Sequence, residues 1–545
     1  MPRLHFLYFL HFLCFLLFLP FLLFPLDALA AESRPLDVAM LTAAERSDYE
    51  RTSTFAEVVA VIEALAADTH LLHREQLLQT RQGRDVPVLV LADPPVRSPA
   101  QARASGKPVI YIQGNIHGGE VEGKEASLIA MRDILYGDKT HLLDNQILIF
   151  VPIYNADGND AMAPDNRPNQ ELSPLLTGVR TAHGYDLNRD GMIVEAEETR
   201  ALYSNVIQRW DPDLLVDLHT TNGTWHGYSL TYAPSYHTAA DPATSDYTAE
   251  VMLPAIQAIV KDKFNLDFGW YGGFDYRDWP PTQLRTYHHA PRYLTNHMAL
   301  RNRMAILSET FSHDRFYKRV HAANAFVEEI LEFTNRNGYE IRRINRQADS
   351  SAAASIGTEK GVQFTMVPRD RPIDLLSYNY IPFQTADGSQ DFVRSAEIVT
   401  IAGVENYNAF APTHTATVPT AYVFSAAFVG LAEKLRQHGI QVDRLEADTS
   451  FSGQQFFVNA IGKQSFVQNG HRNSLLAGEL RTHQRHFSRG DFMVAMDNRL
   501  ASLIFYLLEP ESDDGLAYWN LFDDYLETGL ANQSEVEYPV FKVMR

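Results

Sequence analysis

Short apolar runs, each cut off by a polar or glycine-containing turn, most narrowly limit how this chain can fold. Residues 86–92 read as a strand, and residues 109–112 are β-branched and aromatic before Gln113-Gly114-Asn115. Residues 147–153 run into Asn155-Ala156-Asp157-Gly158, and residues 213–218 and 304–307 repeat the pattern. Such runs fit strands buried in a sheet. Helical spacing lies between them, over residues 55–66 and 124–135. Strands alternating with helices predict an α/β fold, a mixed and mostly parallel sheet with helices on both faces.

The first residues are of another kind. Met1-Pro2-Arg3 is followed by an almost unbroken run of Phe and Leu through residue 26, then Ala28-Leu29-Ala30. This order predicts a secretory signal over residues 1–30, cleaved after Ala30, and so a periplasmic or extracellular protein. Pro20 and Pro25 interrupt the run, which otherwise has the length of a membrane anchor. No later stretch reads as a membrane span. Cys14, the one cysteine, lies inside this segment. The mature chain then has no thiol, which excludes disulfides, a cysteine nucleophile and thiolate zinc ligands. Any metal must be held by histidines and carboxylates. The formal net charge of -20 argues against nonspecific nucleic-acid binding and reads as solubility.

Composition divides the remainder. Residues 31–53 are a polar lead-in, and 54–345 form the main domain, closed by a helix over 321–336. Residues 346–359, with Ser350-Ser351-Ala352-Ala353-Ala354-Ser355, read as a linker. Residues 360–545 read as a C-terminal accessory domain, mixed α/β or β-rich. Within it residues 422–424, 427–438 and 440–445 predict strand, helix and strand.

Polar motifs stand at the strand ends. His117-Gly118-Gly119-Glu120 follows the strand at 109–112, and glycines between a His and a Glu let the backbone turn tightly enough for both to reach one metal. Asp217-Leu218-His219-Thr220-Thr221 ends another strand, and His219 is a candidate third ligand. Two His and one Glu, with a fourth position left for water, are a catalytic zinc set. Asp186-Leu187-Asn188-Arg189-Asp190 offers an amide and a guanidinium to a carboxylate, or else a structural Arg–Asp pair. Leu307-Ser308-Glu309-Thr310 places an acid at the end of the last strand.

Taken in order, these motifs resemble the zinc metallocarboxypeptidase family, that of carboxypeptidase A, over residues 55–333. The extended motifs, with Glu509-Pro510-Glu511-Ser512 and Trp519-Asn520, look like a bacterial branch with a C-terminal extension. The resemblance implies a carboxypeptidase-like fold and one Zn2+ per chain on His117, Glu120 and His219. It implies Glu309 as the catalytic carboxylate and Asn188 with Arg189 as the grip on the substrate's terminal carboxylate. Arg180, with Arg167 the weaker match, would polarise the scissile carbonyl. Asp186 would orient the first zinc histidine. Tyr287 and Tyr293 are both placed for the active-site tyrosine. The implied reaction is hydrolysis of a C-terminal peptide bond in a peptide or muropeptide. Alternatives are a zinc amidohydrolase of the aspartoacylase kind, or an inactive binding module with the same fold.

The exported protein is expected to begin near Ala31 and to carry no free thiol. N-terminal sequencing and thiol titration check this, and an intact Met1 on a membrane-bound product would instead establish an anchor.

Overall fold

The computed structural model describes residues 37–168, 170 and 174–544. The signal segment, Cys14 and residues 31–36 of the lead-in lie outside the described residues. The first strands are β1 (Leu72–Gln79), β2 (Asp85–Leu91), β3 (Val109–Gly114), β4 (Ile147–Val151) and β5 (Leu214–Thr220). They are followed by β6 (Leu230–Pro234), β7 (Phe268–Trp270), β8 (Gln283–Arg285) and β9 (Met304–Thr310). All but β8 join one eight-stranded sheet in the order β1-β2-β4-β3-β5-β9-β6-β7. The central pairs β3–β4, β3–β5 and β5–β9 are parallel, while β1–β2, β2–β4 and β6–β9 are antiparallel.

The continuous apolar runs match their position. Every residue of β3, β4, β5 and β9 is buried, as expected of parallel strands covered on both faces. β1 has no counterpart in the sequence reading. After the buried Leu72, its His73-Arg74-Glu75-Gln76 stretch alternates between half-buried and exposed positions at the sheet edge, where polar residues are tolerated and periodicity is weak.

Three helices brace the sheet. Glu122–Tyr136 contacts both β3 and β5, and the long helix Phe316–Ser351 packs against it and against Leu253–Phe264. The close approach of Glu122–Tyr136 to β5 needs Gly123, where a Cβ would stand 2.4 Å from the Leu218 Cβ. Arg319, on the long helix, is fully buried and sits 2.9 Å from the equally buried Glu122 carboxylate. Thr220, closing β5, donates its hydroxyl to the same carboxylate. The start of the first helix, the end of β5 and the long helix are thereby tied together.

The helix expected over 321–336 is thus part of a longer one. Amphipathic spacing continues past the point where the sequence reading stopped, and residues up to Ile344 and Ala348 are still buried. The stretch expected as a linker, 346–359, is accordingly helical through Ser351, and Ala352–Ser355 is a 3-10 turn. Ala352 packs into a core shared with Leu431, Phe456 and Phe505.

Beyond it the chain is mostly strand. Glu359–Val367 pairs with Ala409–Thr417, and Ile373–Gln384 pairs with Gln390–Tyr407. The latter strand also pairs in parallel with β8. A further sheet includes Ala421–Phe424, Phe492–Ala495, Val540–Val543 and the long hairpin Thr449–Lys463 with Ser474–Phe487. The expected strand at 440–445 is reduced to Asp443–Arg444, and the helix is Val429–Gln437. The chain divides after Val38, and Ala39–Arg545 is one compact unit. No helix among the described residues is long and apolar enough to cross a membrane.

Arg319→Met should destabilise the protein by about 3–5 kcal/mol, because it leaves the Glu122 charge buried without its cation. Denaturant unfolding measures this, and an unchanged midpoint would show that the pair contributes nothing.

Candidate metal centre and active site

Register brings the polar motifs together. Gly114 at the end of β3 lies opposite Leu218, and His219 lies opposite Glu309 across the β5–β9 pair. Side chains alternate along a strand, so Asp217 and His219 point to the same face. Beyond β3 the backbone turns at Asn115, with φ 66°. The Asn115 amide nitrogen lies 3.1–3.3 Å from the carbonyls of His117, Gly118 and Glu120 and holds the loop closed. Gly118 is required there, since a Cβ would meet the Gly158 backbone at 2.3 Å. At Gly119 it would collide with the Gly178 carbonyl at 2.4 Å and with Arg167 Cγ at 2.6 Å.

His117, Glu120 and His219 converge. Each brings a ligand atom to within 4.8 Å of the others, and all three residues are buried. His117 Nδ1 is 2.9 Å from Glu120 Oε1, and His219 Nδ1 is 2.8 Å from Glu120 Oε2. The opposite ring nitrogens are held by aspartates. His117 Nε2 lies 3.1 Å from Asp186 Oδ1, and His219 Nε2 lies 2.9 Å from Asp217 Oδ2. An aspartate behind each imidazole fixes the ring and presents the inner nitrogen to a metal. Two imidazoles and one carboxylate, oriented this way, fit a zinc ion. Asp217 is itself anchored, accepting from Gln113 Nε2 at 3.2 Å, while Gln113 Oε1 accepts from the Tyr111 hydroxyl at 2.6 Å.

The charges follow from this packing. Burial alone would raise the Glu120 carboxyl, but His117 and Arg167 outweigh it and hold the group well below its ordinary range. Burial also opposes ionisation of Asp186, and His117 with Arg189 and Arg180 again prevail. Burial disfavours the charged form of His219, yet Asp217 and Glu120 push its pKa well above the ordinary histidine value. Glu309 goes the other way. Burial raises its carboxyl to about 8, with Glu120 adding to the rise and His219 opposing it.

The two arginines separate. Arg167 reaches the metal cluster, with Nη2 2.9 Å from Glu120 Oε1 and a side chain 12% exposed. Arg180 Nε lies 2.9 Å from Asp186 Oδ2, behind His117, and its side chain is 43% exposed. Asn188 donates its backbone N–H to Asp186 Oδ1 at 3.0 Å and accepts the Leu294 N–H on its side-chain oxygen at 3.0 Å. Arg189 stacks its guanidinium 4.1 Å above the Tyr293 ring. Asp190 does not serve Arg189. Its two oxygens accept the backbone N–H groups of Glu195 and Ala196, both at 2.9 Å. Tyr287 stands one ring behind Tyr293, at 5.0 Å, with its hydroxyl 3.0 Å from Thr295 Oγ1.

Two residues near the site had no role in the sequence reading. Asp217 could have been found from its i, i+2 spacing to His219 on a strand. Tyr271, just past β7, has its phenol pushed well above the usual range by burial and by the nearby Glu309 and Tyr293. Nothing in its local sequence marks it.

Residues 58–190 match the family model described as zinc carboxypeptidase. Over that span the chain resembles the zinc carboxypeptidases. The matched span holds His117, Glu120, Arg167, Arg180, Asp186, Asn188 and Arg189. The chain is similar to Carboxypeptidase 2 of Trichophyton rubrum, 20% identical over 495 residues, covering 88% of this chain and 84% of the relative. Carboxypeptidase 2 of Trichophyton tonsurans is 20% identical over 489 residues, covering 85% of this chain and 81% of the relative. Among solved structures, a metallo-carboxypeptidase from Burkholderia cenocepacia is 17% identical with a TM-score of 0.39, covering 52% of this chain and 69% of its own. A metallo-carboxypeptidase from Pseudomonas aeruginosa, in complex with (2-guanidinoethylmercapto)succinic acid, is 16% identical with a TM-score of 0.38, covering 53% and 69%.

The raised Glu309 pKa fixes a pH dependence for the metal-free protein. Between the ordinary value of 4.5 and the folded value of about 8, the native state holds a proton that the unfolded state has lost. Stability from this group is therefore present at low pH and lost as pH rises. Glu309→Gln cannot ionise, so its stability relative to wild type should grow between pH 5 and pH 8 by about 3 kcal/mol. Unfolding of chelator-treated proteins at the two pH values tests this, and a constant difference would refute it.

Proposed function

We propose that the chain is an exported zinc-dependent carboxypeptidase that removes C-terminal residues from peptides. The observation that carries the reading is the buried His117–Glu120–His219 cluster, with Glu309 facing it from the adjacent strand. The apolar run and Ala28-Leu29-Ala30 at the N-terminus support export.

One zinc ion per chain, held by His117, Glu120 and His219, would polarise the scissile carbonyl and make a water more acidic. Glu309 accepts the proton of the attacking water and returns it to the leaving amine. Its position opposite His219, across the β5–β9 pair, supports that role. Arg167 is the better placed of the two arginines to stabilise the oxyanion, because its guanidinium already lies at the metal cluster. Arg180 acts behind it, steadying Asp186 and through it the His117 ring. Asp217 does the same for His219.

Arg189 grips the terminal carboxylate of the substrate, assisted by Asn188. The guanidinium is stacked on Tyr293 and its Nη1 donates to the Asn188 carbonyl at 2.8 Å, which leaves its other edge N–H groups to pair with a carboxylate. Tyr293 lines the same subsite, and Tyr287 backs it.

The test compares one peptide as free acid and as C-terminal amide, with zinc-loaded protein. The free acid should be hydrolysed at least about tenfold faster, since the amide leaves Arg189 without its anion. Arg189→Ala should slow the free acid and narrow the gap, and a chelator should abolish both rates. Equal kcat/KM for the two substrates would rule out a carboxylate clamp and, with it, an exopeptidase.

A further inference from the structure

Asp186 turns the first zinc histidine, so whatever holds Asp186 bears on the metal site. Part of that support comes from far along the chain. The long hairpin Thr449–Lys463 and Ser474–Phe487 extends its connecting loop to the segment that carries Asp186, Asn188 and Arg189. At the tip, Asn469 adopts φ 47°. Its side-chain oxygen accepts the Asp186 backbone N–H at 2.9 Å, and its amide nitrogen donates to the Asp186 carbonyl at 3.1 Å.

These two bonds grip both peptide groups of a single residue. They fix the Asp186 backbone from behind, while its carboxylate faces forward to His117 Nε2, the Asn188 N–H and Arg180. The tip is stiff in its own right. Gln468 and His471 exchange backbone hydrogen bonds at 2.9 and 2.8 Å. His471 spans the contact, with Nε2 2.9 Å from Glu195 Oε2 and Nδ1 3.0 Å from Asn520 Oδ1. Gln468 accepts from Arg292, which is buried on the Asp514 carboxylate at 2.9 Å.

We infer that Asn469 is a positioning residue for the metal site, acting through Asp186 on His117. The inference rests on the zinc reading given above. Removing the amide frees the Asp186 backbone to shift, and the carboxylate behind an imidazole ligand then loses its aim. Partners behind metal ligands commonly affect metal affinity about 10–100-fold. Asn469 stands one step further back, so the lower end of that range applies. A residue that merely docked the hairpin would change stability alone.

The experiment measures zinc affinity by competition with a chromophoric chelator, together with Tm and the steady-state constants at saturating zinc. Asn469→Gly keeps the left-handed backbone and removes both bonds, while Asn469→Asp keeps the acceptor and removes the donor. His471→Ala loosens the same tip without touching Asp186. Asn469→Gly should raise the zinc Kd about tenfold and lower kcat with KM little changed. Asn469→Asp should fall between Asn469→Gly and wild type. His471→Ala should lower Tm while leaving the zinc Kd within about twofold of wild type. Equal zinc affinity in wild type and Asn469→Gly, with only a Tm loss, would overturn the inference and leave the metal reading standing. A wild-type chain that binds no zinc would overturn the metal reading and the inference together.

Discussion

Glu120 is buried, yet His117, His219 and Arg167 all bring donors to its two oxygens. A carboxylate taken out of water needs such partners, because an unpaired buried charge costs several kcal/mol. That requirement draws three separate segments to one point: the loop after β3, the end of β5, and the region around Arg167. It also dictates what stands behind them. Each imidazole needs its own acceptor, supplied by Asp186 and Asp217, and Asp217 in turn leans on Gln113 and Tyr111 within β3. The polar network therefore runs from the cleft down into the central strands.

The same segments are locked from the other side. Glu122 follows Glu120 by two residues and meets Arg319 and Thr220 in the dry interior. One face of this short stretch of chain serves the site, and the next turn anchors it to the long helix. The glycines permit both at once, since side chains at Gly118 or Gly119 would strike backbone or Arg167.

Parallel strands buried on both faces must be apolar throughout, so the central sheet was legible as unbroken runs, and its polar strand ends stood out against them. His117, Glu120, His219 and Glu309 could be read for that reason. The edge strand β1 could not, because half its residues face outward and look like loop. Arg167 lies far in sequence from the carboxylate it meets, and Tyr271 has no neighbouring motif. The continuation of the helix through Ser351 was missed because serines and alanines near its end resemble a linker, whereas the buried Ile344 and Ala348 reveal its continued packing.

Asn469 follows Asp186 by 283 positions. During synthesis the loop bearing Asp186 emerges long before its distant support exists. Most of the sheet and all of the metal-ligand candidates are made before the hairpin that steadies one of them. The order of translation thus separates the making of the site's parts from their final alignment. A cell producing this protein carries, for the duration of that interval, a chain whose Asp186 segment still lacks its contacts with residues not yet made.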